Sequence, residues 1–209
     1  MFMIRTFTLG RIALPFLFLF VFKLGTAQNY VGLSGGGGLA TEVGFRTAAI
    51  GEFPVNSILS IQTEVVFIQR ANWEIIQRLN QDIDYRQVVV AYIELPLLAK
   101  FSLDLNAISL HGLLGVKLGY GINMVGNYVE DGSIISEKFQ FDEKNIEQFD
   151  MGLNLGFGIE REISKARKIF IDYRYYLGLY DIDKEADSEI YNAGSVVNMG
   201  FLIPIGGKK

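Results

Sequence analysis

Eight ionisable residues alternate onto one face of successive apolar stretches: Glu52, Glu64, Glu94, Lys100, Lys117, Glu160, Asp172 and Arg174. Withdrawn from water, such a set has two uses. It can pass protons or ions along a path, or past a plug that opens. Otherwise it stands as a static network in which each charge has a partner. A buried charge left alone costs several kcal/mol, and the mixed signs here supply partners, so the static network is the expectation.

Other candidate chemistry is thinner. His111 is the only histidine and shares a face with Ser109. A hydrolase would need that pair beside an acid. The pair follows a turn and no motif frames it, so His111 reads as a wall residue. Asp181, Asp183 and Glu185 are spaced as at the start of a calcium loop, but Ala186 stands where the loop needs glycine and Asn192 where it needs glutamate. The bland reading, a solvated acidic surface, is preferred. Gly35-Gly36-Gly37-Gly38 is followed by no Lys-Ser/Thr pair and opens no helix, so it does not cradle phosphate. The chain has no cysteine, which rules out a disulfide framework, a thiol nucleophile, a thiolate metal site and a lipid-anchored cysteine. Neither an enzyme nor a cofactor is expected. A net charge of -4 and a pI of about 5.1 offer nothing to nucleic acid.

The elements that must position the charged set are strands. From Phe149, every second residue is apolar: Met151, Leu153, Leu155, Phe157, Ile159. After the polar break Ser164–Arg167 the alternation resumes at Ile169, Ile171, Tyr173, Tyr175 and Leu177. A period of two means strand, because successive side chains point to opposite faces. Two such runs around a short break make a hairpin. Similar runs cover Tyr30–Leu39, Gly44–Phe53, Ile58–Gln69, Gln87–Leu103, Ala107–Ile122 and Ala193–Ile205, giving eight strands. Pro96 predicts a bulge or a locally unpaired position in its strand. The connections Pro54–Ser57, Asp104–Asn106 and Ser164–Arg167 are short. Arg70–Arg86, read either as holding a short helical turn around Trp73 and Ile76 or as extending the flanking strands, Asn123–Gln148 and Asp181–Asn192 are long and polar. One end of the sheet is thus trimmed and the other elaborated.

Before the first strand, residues 1–27 run basic, apolar, small, with Gly25-Thr26-Ala27 before the expected cut. That is the order of a signal peptide, and its apolar core is well short of the ~20 residues that span a bilayer. Residues 28–209 then form one all-β domain.

Alternation alone does not say which face is inside. The less apolar face is rich in glycine (Gly115, Gly119, Gly152, Gly156, Gly158, Gly178, Gly200), which suits a narrow interior filled by side chains. Its charges are mixed in sign and able to pair. Strands of ~11 residues tilted by ~40° rise about 28 Å, close to the apolar band of an outer membrane. The expected fold is an all-β, eight-stranded antiparallel up-and-down transmembrane β-barrel. Tyr120, Tyr173, Tyr175, Tyr176 and Tyr180 lie toward strand ends, and those pointing outward are expected to form an interfacial girdle.

Ile93-Glu94-Leu95-Pro96-Leu97-Leu98-Ala99-Lys100-Phe101 resembles the E-x-P-L-x-x-K strand of the PorT-like outer-membrane β-barrel family, small barrels similar to OmpX and the OmpA transmembrane domain. Gly51-Glu52-Phe53, Gln62-Thr63-Glu64, Gly152–Ile159 and Asp172-Tyr173-Arg174-Tyr175 follow in the family's order. Such barrels end on an aromatic residue, whereas here Phe201 is followed by Leu202–Lys209. The resemblance implies the outer membrane of a Gram-negative bacterium, periplasmic termini, a monomer, and contact with outer-membrane lipid and lipopolysaccharide. It also implies an envelope or secretion protein as partner. The expected role is structural or interactive, through acidic outer loops. The alternative is a narrow channel or transporter for small solutes.

Overall fold

The computed structural model describes residues 28–38, 43–71, 85–130, 133–142, 145–164, 166–184 and 189–206. The expected signal peptide and the turn at Trp73 and Ile76 lie outside them. The strands are β1 (Asn29–Gly38), β2 (Val43–Pro54), β3 (Leu59–Ala71), β4 (Tyr85–Leu105), β5 (Ile108–Glu130), β6 (Ser133–Phe139), β7 (Phe149–Ser164), β8 (Arg167–Gly178) and β9 (Ala193–Ile205). Eight of them pair antiparallel in a ring. Sequence neighbours pair from β1 to β5, β5 pairs with β7, and β7, β8 and β9 follow in turn. The ring closes where β9 meets β1, from Asn29↔Ile205 to Gly38↔Val196. Closure leaves no open edge to face lipid. The expected eight-stranded up-and-down barrel is therefore the observed fold.

The ninth strand corrects the sequence reading. Asn123–Gln148 is not simply a polar connection. β5 continues to Glu130, and β6 folds back along it from Glu130↔Ser133 to Met124↔Phe139. Asp131-Gly132 between them is a dipeptide favoured in two-residue hairpin loops, and it was the available signal. The outward apolar series of β5, Leu114, Val116, Leu118, Tyr120 and Ile122, stops at Ile122. The β5–β6 hairpin therefore rises past the apolar wall.

The outward face is apolar and exposed on every side, as at Leu33, Val65, Leu97, Leu114, Leu155, Ile171 and Phe201. In water this would be an aggregation surface; in lipid it is the expected wall. Four of the five tyrosines lie outside. Phe157 and Tyr173 stack across the β7–β8 pair, and Phe149 meets Tyr180 edge-on. Tyr176 is the exception: its parity puts it in the lumen, fully buried. Opposite Pro96 the β3–β4 ladder breaks after Thr63↔Leu97 and resumes in the same register at Val66↔Glu94. Pro96 stays paired to Lys117 of β5, so the missing N–H is absorbed on the β3 side. The register shifts in the β4–β5 pair instead lie between Tyr85 and Gln87 and between Ala91 and Tyr92.

The short turns share one end with the start of β1 and the end of β9. At the other, two loops cap the barrel. Glu147 donates its N–H to Ile182, Ile182 to Ile190, Ile146 to Phe141, and Lys184 to Asn145. These bonds gather Phe139, Phe141, Ile146, Ile182 and Ile190 into a buried cluster with Met124, Val88, Val90 and Tyr92 at the barrel mouth. Lys184 is tied to Asp142 at 2.9 Å, a hydrogen bond that raises its pKa above the ordinary lysine value.

Inside, glycine permits close approach. A Cβ on Gly115 would stand 2.0 Å from the Leu97 carbonyl oxygen of β4, and one on Gly158 2.4 Å from that of Ile171 on β8. Gly115→Val should therefore prevent closure. In a gel assay that separates heat-resistant folded barrel from unfolded chain, the variant is expected to run wholly as unfolded, while Gly112→Ala, with open space around it, should fold normally.

Candidate functional site

The alternation of eight strands aims a set of charges into one narrow lumen, where they form three clusters stacked along the barrel. Each holds two cations and two anions. Nearest the termini, Lys100 bridges Glu52 and Glu160 at 2.6 Å each. Lys168 adds a 2.7 Å bond to Glu160 and a longer contact, 3.6 Å, to Glu52, with its ammonium 4.4 Å from the Tyr30 ring centroid. In the middle, Arg174 reaches Glu64 at 2.8 Å and Asp172 at 2.9 Å, and Arg46 pairs with Glu64. Gln62, Ser34 and Asn198 add further hydrogen bonds: Gln62 donates to Glu64, Arg46 to Ser34 and Asn198, and Asn198 to Asp172. Toward the capped end, Glu94 accepts from Arg70 at 2.8 Å and Lys117 at 3.0 Å, and Lys117 reaches Asp150 at 2.5 Å. The Arg70 guanidinium lies 4.6 Å from the Tyr176 ring centroid. Above it, Asn192 donates to the Tyr92 hydroxyl, joining the lumen to the cap.

All eight residues of the sequence-derived set lie in these clusters, and all are buried. Arg46, Arg70, Asp150 and Lys168 were missed. Arg70 was read into a connection, and Arg46 lies in the strand with the weakest alternation. Two signals were present. Parity with Val66 and Ile68 puts Arg70 inside, as parity with Phe170 and Asp172 does Lys168. The eight residues also held five acids against three bases, an imbalance that a dry lumen cannot carry.

The other candidates do not assemble a reactive site. The Ser109 hydroxyl donates to Asp104, its partner at the end of β4, rather than to His111, and His111 is buried on the lumen side. Asp181 accepts the N–H groups of Asp183 and Ile190, an arrangement that shapes the loop. Glu185 lies outside the described residues. Among the described residues no three acids or histidines gather as metal ligands.

The family described as "Outer membrane protein beta-barrel domain" matches residues 18–184. No curated protein matches the sequence. In backbone shape the chain is similar to Neisserial surface protein A, at 13% identity, with 85% of this chain and 97% of that one covered and a TM-score of 0.46. For OprG of Pseudomonas aeruginosa the values are 8%, 85%, 94% and 0.47. For Ail of Yersinia pestis they are 13%, 85%, 95% and 0.40.

Removing one partner from the middle cluster strands the others. Arg174→Met should cost about 3–5 kcal/mol because it leaves Asp172 and part of Glu64 buried without their main cation. Urea unfolding of the refolded barrel in micelles measures this, with Lys184→Ala at the exposed loop pair as a control that leaves the midpoint unchanged.

Proposed function

This chain belongs to the outer membrane protein beta-barrel domain family, and we propose that it works there as a closed, non-conducting barrel whose acidic loops engage partners beyond the membrane. The observation that carries this reading is the lumen. Three neutral charge clusters are stacked along it, and the apolar cap of Phe139, Phe141, Ile146, Ile182 and Ile190 covers one mouth. A small barrel with its interior occupied by side chains is a packed core rather than a pore.

The chemistry available for binding therefore lies outside the lumen. In β6 and the connections at the capped end, Glu137, Asp142, Glu143, Glu147, Asp181, Glu185, Asp187 and Glu189 outnumber Lys138, Lys144 and Lys184. Such a surface suits cationic protein segments, or divalent cations shared with anionic lipopolysaccharide. The even number of staves, with the start of β1, the end of β9 and the short turns at one end, supports periplasmic termini and external loops. Kinship with PorT-like barrels, and through it an envelope or secretion partner, rests on the stretch from Ile93 to Phe101. The Glu94 and Lys100 of that motif each bridge two partners in the lumen.

In planar bilayers the purified barrel is expected to give no stable conductance steps; steady openings would instead establish the narrow-channel reading. Orientation is read separately. The chain has no native cysteine, so single cysteines report cleanly. In intact cells a membrane-impermeant maleimide should label Ile134→Cys on the outer hairpin and leave Asn56→Cys in a short turn unlabelled.

A further inference from the structure

We propose that the outer wall carries a binding site for one anionic phospholipid, its phosphate on Arg161 and one acyl chain in the groove that runs from there across β8 and β9 to β1 and β2. The groove is an apolar recess of about 890 Å³. Strand register defines it as two adjacent rows of outward side chains. One row is Arg161, Ile169, Phe201 and Leu33, each opposite the next. The other is Ile159, Ile171, Met199, Gly35 and Thr47. The second row crosses four inter-strand steps, roughly 19 Å at ~4.8 Å per step. With the strands tilted by ~40°, the row rises about 12 Å along the membrane normal, within the ~15 Å share of a single leaflet. Gly35 leaves the far end of the recess open: a Cβ there would meet only the Arg46 carbonyl oxygen, at 3.9 Å.

Charge selects the occupant. Arg161 points outward between Ile159 and Ile163 and opposite Ile169, all of them exposed. The other strand cations that line the lumen are paired, whereas Arg161 has no ion pair among the described residues. An unpaired guanidinium set near the termini end of an apolar wall is complementary to a phosphodiester, which it can hold with two parallel hydrogen bonds. Free phosphate has no use for the recess, and an uncharged lipid has none for Arg161. The site lies toward the termini end, so its lipid belongs to the leaflet at that end, which is the periplasmic leaflet under the orientation proposed above. The binding itself does not depend on that orientation.

The test uses the full folded chain in neutral detergent, titrated with dioleoyl phosphatidylglycerol and followed by native mass spectrometry. Dioleoylglycerol, with the same chains and no phosphate, is the comparison ligand. One dominant phosphatidylglycerol adduct is expected, with little adduct from dioleoylglycerol. Arg161→Gln should weaken it about fivefold, the effect of losing one cation near a membrane surface. Gly35→Leu, which fills the recess and keeps Arg161, should weaken it as well. Arg167→Gln removes a nearby cation outside the groove lining and should change it less than twofold. Folding of each variant is read from the heat-resistant gel band. Equal losses from Arg161→Gln and Arg167→Gln would reduce the effect to general charge attraction and overturn the site. So would phosphatidylglycerol binding that both Arg161→Gln and Gly35→Leu leave intact, which would mean that Arg161 only reaches out to water.

Discussion

Six cations and six anions neutralise one another inside this barrel, and the rest of the structure depends on their meeting. No cluster is local. Lys100 of β4 joins Glu52 of β2 to Glu160 of β7 across the lumen, and Arg174 of β8 reaches Glu64 of β3. These pairs form only when the sheet has closed, and closure is tolerable only when they form. A slip of one residue in any strand would turn its charges to lipid and its apolar side chains into the lumen. Buried ion pairs are weak evidence for stability taken one at a time. Here their geometric demand is the more useful property, because it allows one register.

Around that polar centre the chain meets three environments. The wall faces hydrocarbon, where outward leucine, isoleucine and phenylalanine match the surroundings and the closed ladder leaves no strand edge to lipid. The capped end behaves like a small water-soluble protein. Its isoleucines and phenylalanines are buried by loops that bond to each other, so the ordinary hydrophobic effect operates there. The lumen is narrow enough that glycine is required where a neighbouring strand passes, as at Gly115 and Gly158, or where a long charged side chain does, as at Gly152 beside Lys117 and Gly156 beside Arg174.

Legibility followed periodicity. Where alternation was strong, in β4, β5, β7 and β8, strands and faces could be read directly, and with them Glu94, Lys100, Lys117, Glu160, Asp172 and Arg174. Where it weakened, charges were lost: Arg46 in β2, and Arg70 at a strand end that looked like loop. Asp150 and Lys168 were lost for another reason: each is the second residue of its strand, β7 or β8, at the edge of the alternating run. The β5–β6 hairpin was hidden because it stands beyond the apolar wall, so lipid imposes no apolar alternation on it. Tyr176 shows the limit of composition. A tyrosine near a strand end suits the membrane interface, but parity with Arg174 carries it into the lumen, where it lies under Arg70.

By itself the sequence determined the period of two, charges of both signs on the glycine-rich face, and the contrast of short and long connections. These are local properties, set by how side chains alternate along one strand, and they are enough for an eight-stranded barrel in an outer membrane. Tertiary structure alone decided which acid meets which base, that the charges divide into three neutral clusters, and that two distant loops share one apolar cap. It also aligned Arg161 with Ile169, Phe201 and Leu33 along one wall. Each of these is a relation between strands far apart in the chain. Such relations follow from register and closure, which no single stretch of sequence contains.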